Sequence, residues 1–559
     1  MSLTALLALA MTLPIATTTP TPHTNPKCTP EAIQSLLPPT GNATLTSVTS
    51  LPSNSTFHVP TSNLAYPIFP TQLRALCAIE FKLPSSETSS YSFGLFLPDD
   101  WNSRFLAVGQ GGFSGGINWL DMGAGVGYGF AAMSTDTGHS SISANGTWAY
   151  ENPEGVVDWA WRAMHGSVVV AKEVVKGYYG EEAEWNYYSG CSTGGRQGLK
   201  EVQMFPEDFD GVLVGAPAWW TSHLQTWTVK TGLDNMPNTS SHYIPPALFP
   251  VIGTEVIRQC DGQDGVRDGI VSRPEGCHFV PEALLCREGV RNQTPEGCLT
   301  VEQIGTLGRV YNDYVETNQT FVFPHINLGA ESQFEVLMSG SRIHPLGIDY
   351  VRYFLLNEST WDPKDFDYQI VQEADAVQPG NASANKFDLR PFHKRGGKLL
   401  HYHGLADGLI PTGSSEHFYR QVLNTMTPKD IELDSWYRYF RIPGMQHCAG
   451  TPSDVNAPWY IAGGNQAADL SSSTNGVPGY RDAEHDALLA LMEWTEKGKA
   501  PEQIIATVWQ NDTLQDEVLR QRPICPFPQH AEYDGKGDLD EPASWKCGSE
   551  FTLQRQESY

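Results

Sequence analysis

The residues with the clearest chemical meaning lie at Gly190-Cys191-Ser192-Thr193-Gly194, which matches G-x-S-x-G. A short strand signal, NYYSG at 186–190, runs into this turn, and TGGRQGLKEVQMF at 193–205 leaves it as a helix. Small neighbours permit a sharp, strained turn that lifts the Ser192 hydroxyl clear of the sheet edge. The free N–H groups of the first helical turn then face any negative charge that develops there. Against this stands the plain reading of a glycine-rich turn with an incidental serine. A serine hydroxyl attacks a carbonyl only when a base takes its proton and an acid orients that base. On a strand–turn–helix scaffold the chain order is serine, acid, histidine. HYHGLADGLIP (401–411) offers Asp407 just past a strand, and IPGMQHCAG (442–450) offers His447 just past the strand signal at 438–442. His401 and His403 fall within or at the end of a strand, His165 in a helix and His485 at the start of one. Core or hydrogen-bonding roles are expected of those four. The chemistry implied is acyl transfer through a serine nucleophile, with Thr193 N–H as one oxyanion donor and a second from GQGGFSGG (109–116), near Gly111 or Gly112.

Two further patterns bear on this. Cys191 directly precedes Ser192 and Cys448 directly follows His447. A bridge between them would pin the histidine loop to the nucleophile turn, nominally worth about 4–5 kcal/mol because closure entropy grows only logarithmically with loop length. Separately, Cys260-Asp-Gly-Gln-Asp-Gly-Val-Arg-Asp-Gly-Ile270 gathers Asp261, Asp264 and Asp268 in a glycine-rich stretch. Three like charges so close repel unless a cation draws them together, and hard oxygen donors in a flexible loop suit Ca²⁺. The alternative is a solvated acidic turn. The spacing is not that of an EF-hand, which needs an acidic or Asn side chain at 263 and 265. No Cys/His set has zinc spacing, and 109–116 is neither a phosphate-cradling loop nor a dinucleotide fingerprint, so no organic cofactor is expected.

These residues need a scaffold, and the alternation of strand and helix signals describes one. FLAV (105–108), YGFAAMST (128–135), NYYSG, GVLVGAPA (211–218), KLLHYHG (398–404) and RYFRI (438–442) read as strands. Helical spacing covers 154–179, 193–205 and 482–498. The rhythm predicts a parallel, helix-covered sheet. It breaks over 219–388, which is rich in Cys, Gly, Pro and sequons and reads as an insertion dividing a core at 28–218 from its continuation at 389–559. The last thirty-five residues are expected to strap across the surface. At 559 residues the chain suggests about two to four domains. A hydrophobic share of 40% provides a sizeable core, and a net charge of −27 argues against nucleic acid or anionic membrane as partners. The apolar stretch from Leu3 to Ala16 is too short to span a bilayer; residues 1–19 read as a secretory signal, although the first basic side chain is Lys27. N-glycosylation sequons at Asn42, Asn54, Asn145, Asn238, Asn292, Asn318, Asn357, Asn381 and Asn511 agree with secretion, where ten cysteines read as disulfides.

The motifs YYSGCSTGGRQGL (187–199), FDGVLVGAPA (209–218), MSTDTGH (133–139), HGLADGLIP (403–411) and GMQHC (444–448) resemble the fungal and bacterial tannase and feruloyl esterase family of α/β-hydrolases, over nearly the whole chain after the leader. The resemblance implies an α/β-hydrolase fold with a large lid inserted between nucleophile and acid, and a triad of Ser192, Asp407 and His447 beside a Cys191–Cys448 disulfide. It implies a structural calcium in the lid, held by Asp261, Asp264 and Asp268 with the carbonyls of Val266 and Ile270. It also supports pairing Cys28–Cys77, Cys260–Cys277, Cys286–Cys298 and Cys525–Cys547, which local spacing permits but does not fix. The substrates implied are esters of aromatic acids, hydroxycinnamoyl or galloyl. Moderate insertion length, with no dibasic processing loop in it, tilts the reading toward the type B feruloyl esterases. Trp219 and Trp220 are candidates for lining the pocket or for packing lid on core. A secreted serine peptidase would use the same triad, and an inactive hydrolase-fold binding protein would keep the fold without turnover. Oligomeric state is not legible.

Overall fold

In the computed structural model, residues 25–37, 42–286, 297–470 and 475–548 are described. The leader expected at 1–19 and the sequon at Asn292 lie outside the described residues.

A nine-stranded mixed sheet organises the chain. Its strands are β1 (Thr44–Leu51), β2 (Leu76–Pro84), β3 (Ser90–Pro98), β4 (Arg104–Val108), β5 (Ala131–Thr135), β6 (Trp185–Cys191), β7 (Gly211–Gly215), β8 (Lys398–Gly404) and β9 (Tyr437–Ile442). The order is β1-β2-β3-β5-β4-β6-β7-β8-β9. From β5 to β9 every neighbouring pair is parallel, and β1, β2 and β3 add an antiparallel wing. The parallel part requires helical crossovers, and its strands β4 to β8 are buried along almost their whole length because helices cover both faces.

The main helices are α1 (Trp119–Tyr128), α2 (Ala163–Tyr179), α3 (Thr193–Met204), α4 (Thr221–Asp234), α5 (Phe249–Cys260), α6 (Val301–Val310), α7 (Tyr368–Val377), α8 (Gly413–Met426) and α9 (Ala487–Lys497). Alternate strand residues point to opposite faces. Phe105 and Ala107 of β4 accordingly join one buried cluster with side chains of α2, α3 and α8. Leu106 and Val108 join the other, with α1 and α9.

Between β7 and β8 the described chain adds no strand to this sheet. It builds a cluster of its own around Trp227, Ile252, Leu307 and Phe334. Few clean periodic elements are legible in the sequence here, yet α4 to α7 lie within this stretch. α4 is 14 residues long but buried on most sides and so lacks a one-sided apolar stripe, and α6 and α7 run only 10 residues each. At the C-terminus, Ile504–Trp509 pairs with Val518–Ile524 and His530–Tyr533 with Trp545–Gly548; of these two hairpins the second falls within the last thirty-five residues, where a strap is expected. The final helix begins at Ala487 rather than near 482, because the Asp486 carboxylate accepts from the N–H groups of Leu488 and Leu489 and caps it. All five cysteine pairs are bridged: Cys28–Cys77, Cys191–Cys448, Cys260–Cys277, Cys286–Cys298 and Cys525–Cys547.

Candidate active site

Ser192 follows the last residue of β6 and caps the start of α3 with φ 62° and ψ −123°, a conformation that costs a non-glycine residue strain. Its neighbours explain how the turn is held. Ser192 N–H donates to the Gly215 carbonyl, and the Ser192 carbonyl accepts from Arg196 and Ala218. A side chain at Gly190 would collide with the backbone of Gly194, and one at Gly194 would come within 2.8 Å of the Gln110 carbonyl. The helix start therefore folds back over its own strand and against the loop after β4. That loop is held from outside by the MSTDTGH stretch and its continuation: Gly116 N–H bonds the Asp136 carbonyl, Gly115 the Ser141 carbonyl and Phe113 the Ser143 carbonyl.

Asp407 lies three residues past β8 and His447 five past β9, at the same carboxyl edge of the parallel strands. His447 Nδ1 is 2.7 Å from Asp407 Oδ2. The bridge joins Cys191 and Cys448 with Cα atoms 5.9 Å apart, so Ser192 and His447 are each one residue from a shared covalent link. His447 Nε2 faces that link, 3.7 Å from the Cys448 sulfur. The carboxylate of Asp407 is fully buried. Its Oδ1 accepts from the N–H groups of Leu409 and Ile410, both at 2.9 Å. Its Oδ2 accepts from His403 and His447. Burial pushes the carboxyl upward, but the charge of His447 and the hydrogen bonds of both imidazoles outweigh it and hold Asp407 well below the usual carboxylate range.

Three contributors carried no functional reading in the sequence. Gln333, from the chain between β7 and β8, accepts through Oε1 from Gly408 N–H at 2.9 Å and His447 N–H at 3.3 Å, tying the acid loop to the histidine loop. No motif marks it. His403 bonds Asp407 directly at 3.0 Å, and its i, i+4 spacing to Asp407 was the available signal. Tyr66 accepts through its hydroxyl from Gly111 N–H at 2.9 Å. That bond corrects one oxyanion expectation: the Gly111 N–H is committed to Tyr66, which leaves Gly112, at φ 55°, as the candidate in that turn. Thr193, buried at the first position of α3, presents the other candidate N–H.

Trp219 does not line a pocket. It is 1% exposed, packs into a sheet-face cluster and donates its indole N–H to the Ser414 carbonyl. Trp220 is half-buried and stacks on His223, ring centres 3.7 Å apart.

The acidic loop folds into tight turns, with Gly265 and Gly269 at φ 92° and 80°. Asp261 Oδ1 accepts from the N–H groups of Asp268 and Gly269, Asp264 Oδ1 from Val266 and Asp268 Oδ1 from Ile270. Asp264 Oδ2 is buried with no hydrogen-bond partner, the kind of atom a cation satisfies. Asp268 Oδ2 instead meets the Arg522 guanidinium at 2.6 Å, a buried pair that ties this loop to the C-terminal hairpins. Among the described residues, the group of three potential ligands whose donor atoms all fall within 4.8 Å is a different one, His165, Glu201 and Asp208. There Asp208 pairs with His165 at 2.7 Å and its carbonyl accepts from Lys172, while burial pushes the Glu201 carboxyl well up.

No helix among the described residues is long and apolar enough to cross a membrane. A family model described as "Tannase and feruloyl esterase" matches residues 78–331 and 355–548. A "Probable feruloyl esterase B-1" of Aspergillus oryzae is 35% identical over 480 residues, covering 85% of this chain and 84% of that protein. A "Probable feruloyl esterase B-2" of Neosartorya fischeri is 34% identical over 474 residues, covering 84% and 86%. Among solved structures, feruloyl esterase B from A. oryzae superposes with a TM-score of 0.84 at 34% identity, over 94% of this chain and 99% of that one. Tannin acyl hydrolase from Aspergillus niger shares the fold, with a TM-score of 0.71 at 24% identity over 93% and 95%.

Proposed function

The chain belongs to the tannase and feruloyl esterase family and is a carboxylic ester hydrolase; from that premise we propose that it is a secreted serine esterase that releases hydroxycinnamic acids, feruloyl and its relatives, from plant-derived esters. One observation carries the assignment of roles: a strained Ser192 and an Asp407-bonded His447 are linked through adjoining cysteines at one sheet edge. Ser192 Oγ attacks the ester carbonyl as His447 Nε2 takes its proton, and Asp407 holds the imidazole with Nδ1–H toward it and stabilises the cation that forms. The oxyanion of the tetrahedral intermediate is met by Thr193 N–H and Gly112 N–H. His447 then protonates the departing alcohol. Water repeats the sequence on the acyl-serine and frees the acid. The φ of Ser192 is in keeping with the nucleophile turn of an α/β-hydrolase, and the strands and loops supply that fold's order of serine, acid and histidine.

Residues 219–388 act as a lid on this core, a reading supported by their separate cluster and by Gln333, which reaches from them to the two catalytic loops. Calcium would be held in the lid loop by Asp261, Asp264 and Asp268 with the carbonyls of Val266 and Ile270. The orphaned Asp264 oxygen supports it, and the ion would stiffen the loop that Cys260–Cys277 closes. Five disulfides agree with an oxidising, extracellular setting. Hydroxycinnamoyl rather than galloyl esters are favoured because the relatives named at 34–35% identity are feruloyl esterases.

The test is kcat/KM on methyl ferulate, methyl caffeate, chlorogenic acid and methyl gallate, with Ser192→Ala as the blank. Hydroxycinnamates leading by about tenfold, or ~1.4 kcal/mol of transition-state preference, are expected. A lead for gallate would make galloyl esters the substrate, and turnover surviving in Ser192→Ala would remove the nucleophile assignment.

A further inference from the structure

Behind Asp407 lies a row of buried polar groups that the reaction above does not use. His401 and His403 alternate on β8 and so share one face of the sheet. Ser415 of α8 sits between them, with its Oγ 2.9 Å from His401 Nε2 and 2.7 Å from His403 Nδ1. Tyr437 of β9 closes the far end, with its hydroxyl 2.9 Å from His401 Nδ1. All of these side chains are buried.

With both imidazoles neutral, chemistry dictates which way each hydrogen bond runs. His403 Nε2 lies 2.9 Å from the Ile410 carbonyl and 3.0 Å from the Asp407 carboxylate, and both of these only accept. Nε2 therefore carries the proton, and in the neutral ring Nδ1 must accept. Ser415 O–H then donates to His403 Nδ1, which leaves the Ser415 oxygen to accept from His401 Nε2–H. His401 Nδ1 in turn accepts from Tyr437 O–H. Burial pushes the His401 pKa well below its ordinary value, in keeping with a neutral ring. Every proton from Tyr437 to Asp407 thus points the same way, and each partner fixes the tautomer of the next.

We propose that His403 is a positioning residue for the esterase reaction, held as an Nε2–H donor to Asp407 by the one-way hydrogen-bond chain Tyr437–His401–Ser415, so that Asp407 presents a fully occupied, fixed carboxylate to His447. The inference rests on the triad reading. With Leu409 and Ile410 on Oδ1 and two imidazoles on Oδ2, Asp407 has four donors and no spare orientation. Removing His403 frees the carboxylate to rotate away from His447, which weakens the transition state and leaves substrate binding alone.

The experiment measures kcat and KM separately, with thermal melting, for His403→Leu, His403→Gln, Ser415→Ala, Tyr437→Phe and the double variant His403→Leu/Ser415→Ala. His403→Leu is expected to lower kcat about 30- to 100-fold with KM within about threefold, the mark of an interaction felt only in the transition state. His403→Gln, which keeps an N–H toward Asp407, recovers most of that loss. Ser415→Ala costs about tenfold and Tyr437→Phe about threefold, the effect fading with distance along the chain of hydrogen bonds. The double variant matches His403→Leu within about twofold, because Ser415 acts only through His403. A folded His403→Leu with kcat near wild type, or a double variant whose losses multiply, overturns the proposal. If His403→Leu fails to fold, Ser415→Ala and Tyr437→Phe decide: wild-type kcat in both overturns it. Ser192→Ala and Asp407→Asn run alongside; turnover surviving in them would bring down the triad itself, and the inference with it, whereas their loss with His403→Leu unharmed sinks the relay alone.

Discussion

Replacing Cys191 and Cys448 together by alanine separates two effects of one bond. The bridge closes a loop across 257 residues. With the separation of 257, the chain-entropy relation assigns such a closure about 19 cal/mol/K, or roughly 5.5 kcal/mol at 25 °C, somewhat above the nominal figure of about 4–5 kcal/mol and an upper figure for the stability lost. The smaller loops of the Cys260–Cys277 and Cys286–Cys298 bridges, with separations of 17 and 12, shorten the effective loop too little to change a logarithm. The positional effect has a different size. Without the bridge the histidine loop keeps the Asp407–His447 bond, the Gln333 contact to His447 N–H and the Gln466 amide on the Cys448 carbonyl at 3.1 Å. It loses its only covalent tie to the nucleophile turn. The loop should therefore stay near Ser192 but wander, and a displacement of about 1 Å at reacting atoms costs on the order of 10²-fold in rate. The double variant is thus expected to melt several degrees lower and to turn over about 10- to 100-fold more slowly, read by thermal denaturation and by kcat on a saturating ester below the new midpoint. A folded double variant with wild-type kcat would refute the positional argument and leave the bridge as a staple. Lost turnover with no change in melting would refute the entropic one.

Other perturbations follow from the same geometry. Chelating divalent cations should lower the thermal midpoint while leaving the initial rate within about twofold, since the Asp261 loop makes its ion pair with Arg522 of the C-terminal hairpin and not with Asp407 or His447; an immediate loss of rate at unchanged midpoint would contradict this. Gln333→Leu removes the acceptor shared by Gly408 and His447 N–H, and kcat should drop about tenfold with the sheet intact by circular dichroism, as expected when catalytic loops lose a common anchor. Burial raises the Asp486 carboxyl to about 7, above an unfolded value near 3.9. A raised folded value means the stabilisation is complete below the unfolded pKa and is lost as pH rises through about 7. Melting temperature should therefore decline from pH 5 to pH 8, and Asp486→Asn, which keeps the helix cap and the Tyr128 contact, should flatten that decline; an unchanged slope would exclude Asp486 as its source.

How much of this was legible in the residues depends on the range of the interaction that decides each feature. Strand runs such as KLLHYHG coincide with β8, because two-residue alternation and a glycine stop are local properties. The turn at Ser192 announces itself through small neighbours, because steric strain acts over three or four residues. The order of Ser192, Asp407 and His447 along the chain, with cysteines beside the first and last, narrowed the candidates to three. The antiparallel wing of β1 to β3 and the C-terminal hairpins went unread, since pairing partners are set by packing and not by period. Trp219 shows the same limit from the other side. Its position at the edge of the insertion suited a pocket, but the packing of α8 against the sheet buried it. Gly111 looked free until Tyr66, forty-five residues earlier, took its N–H. Gln333 and the links from Tyr437 to His403 belong wholly to the tertiary structure. A hydrogen bond needs its partners within about 3 Å and aligned, and only the folded sheet brings a glutamine from between β7 and β8, a serine of α8 and a tyrosine of β9 to the two loops where the sequence had placed an acid and a base.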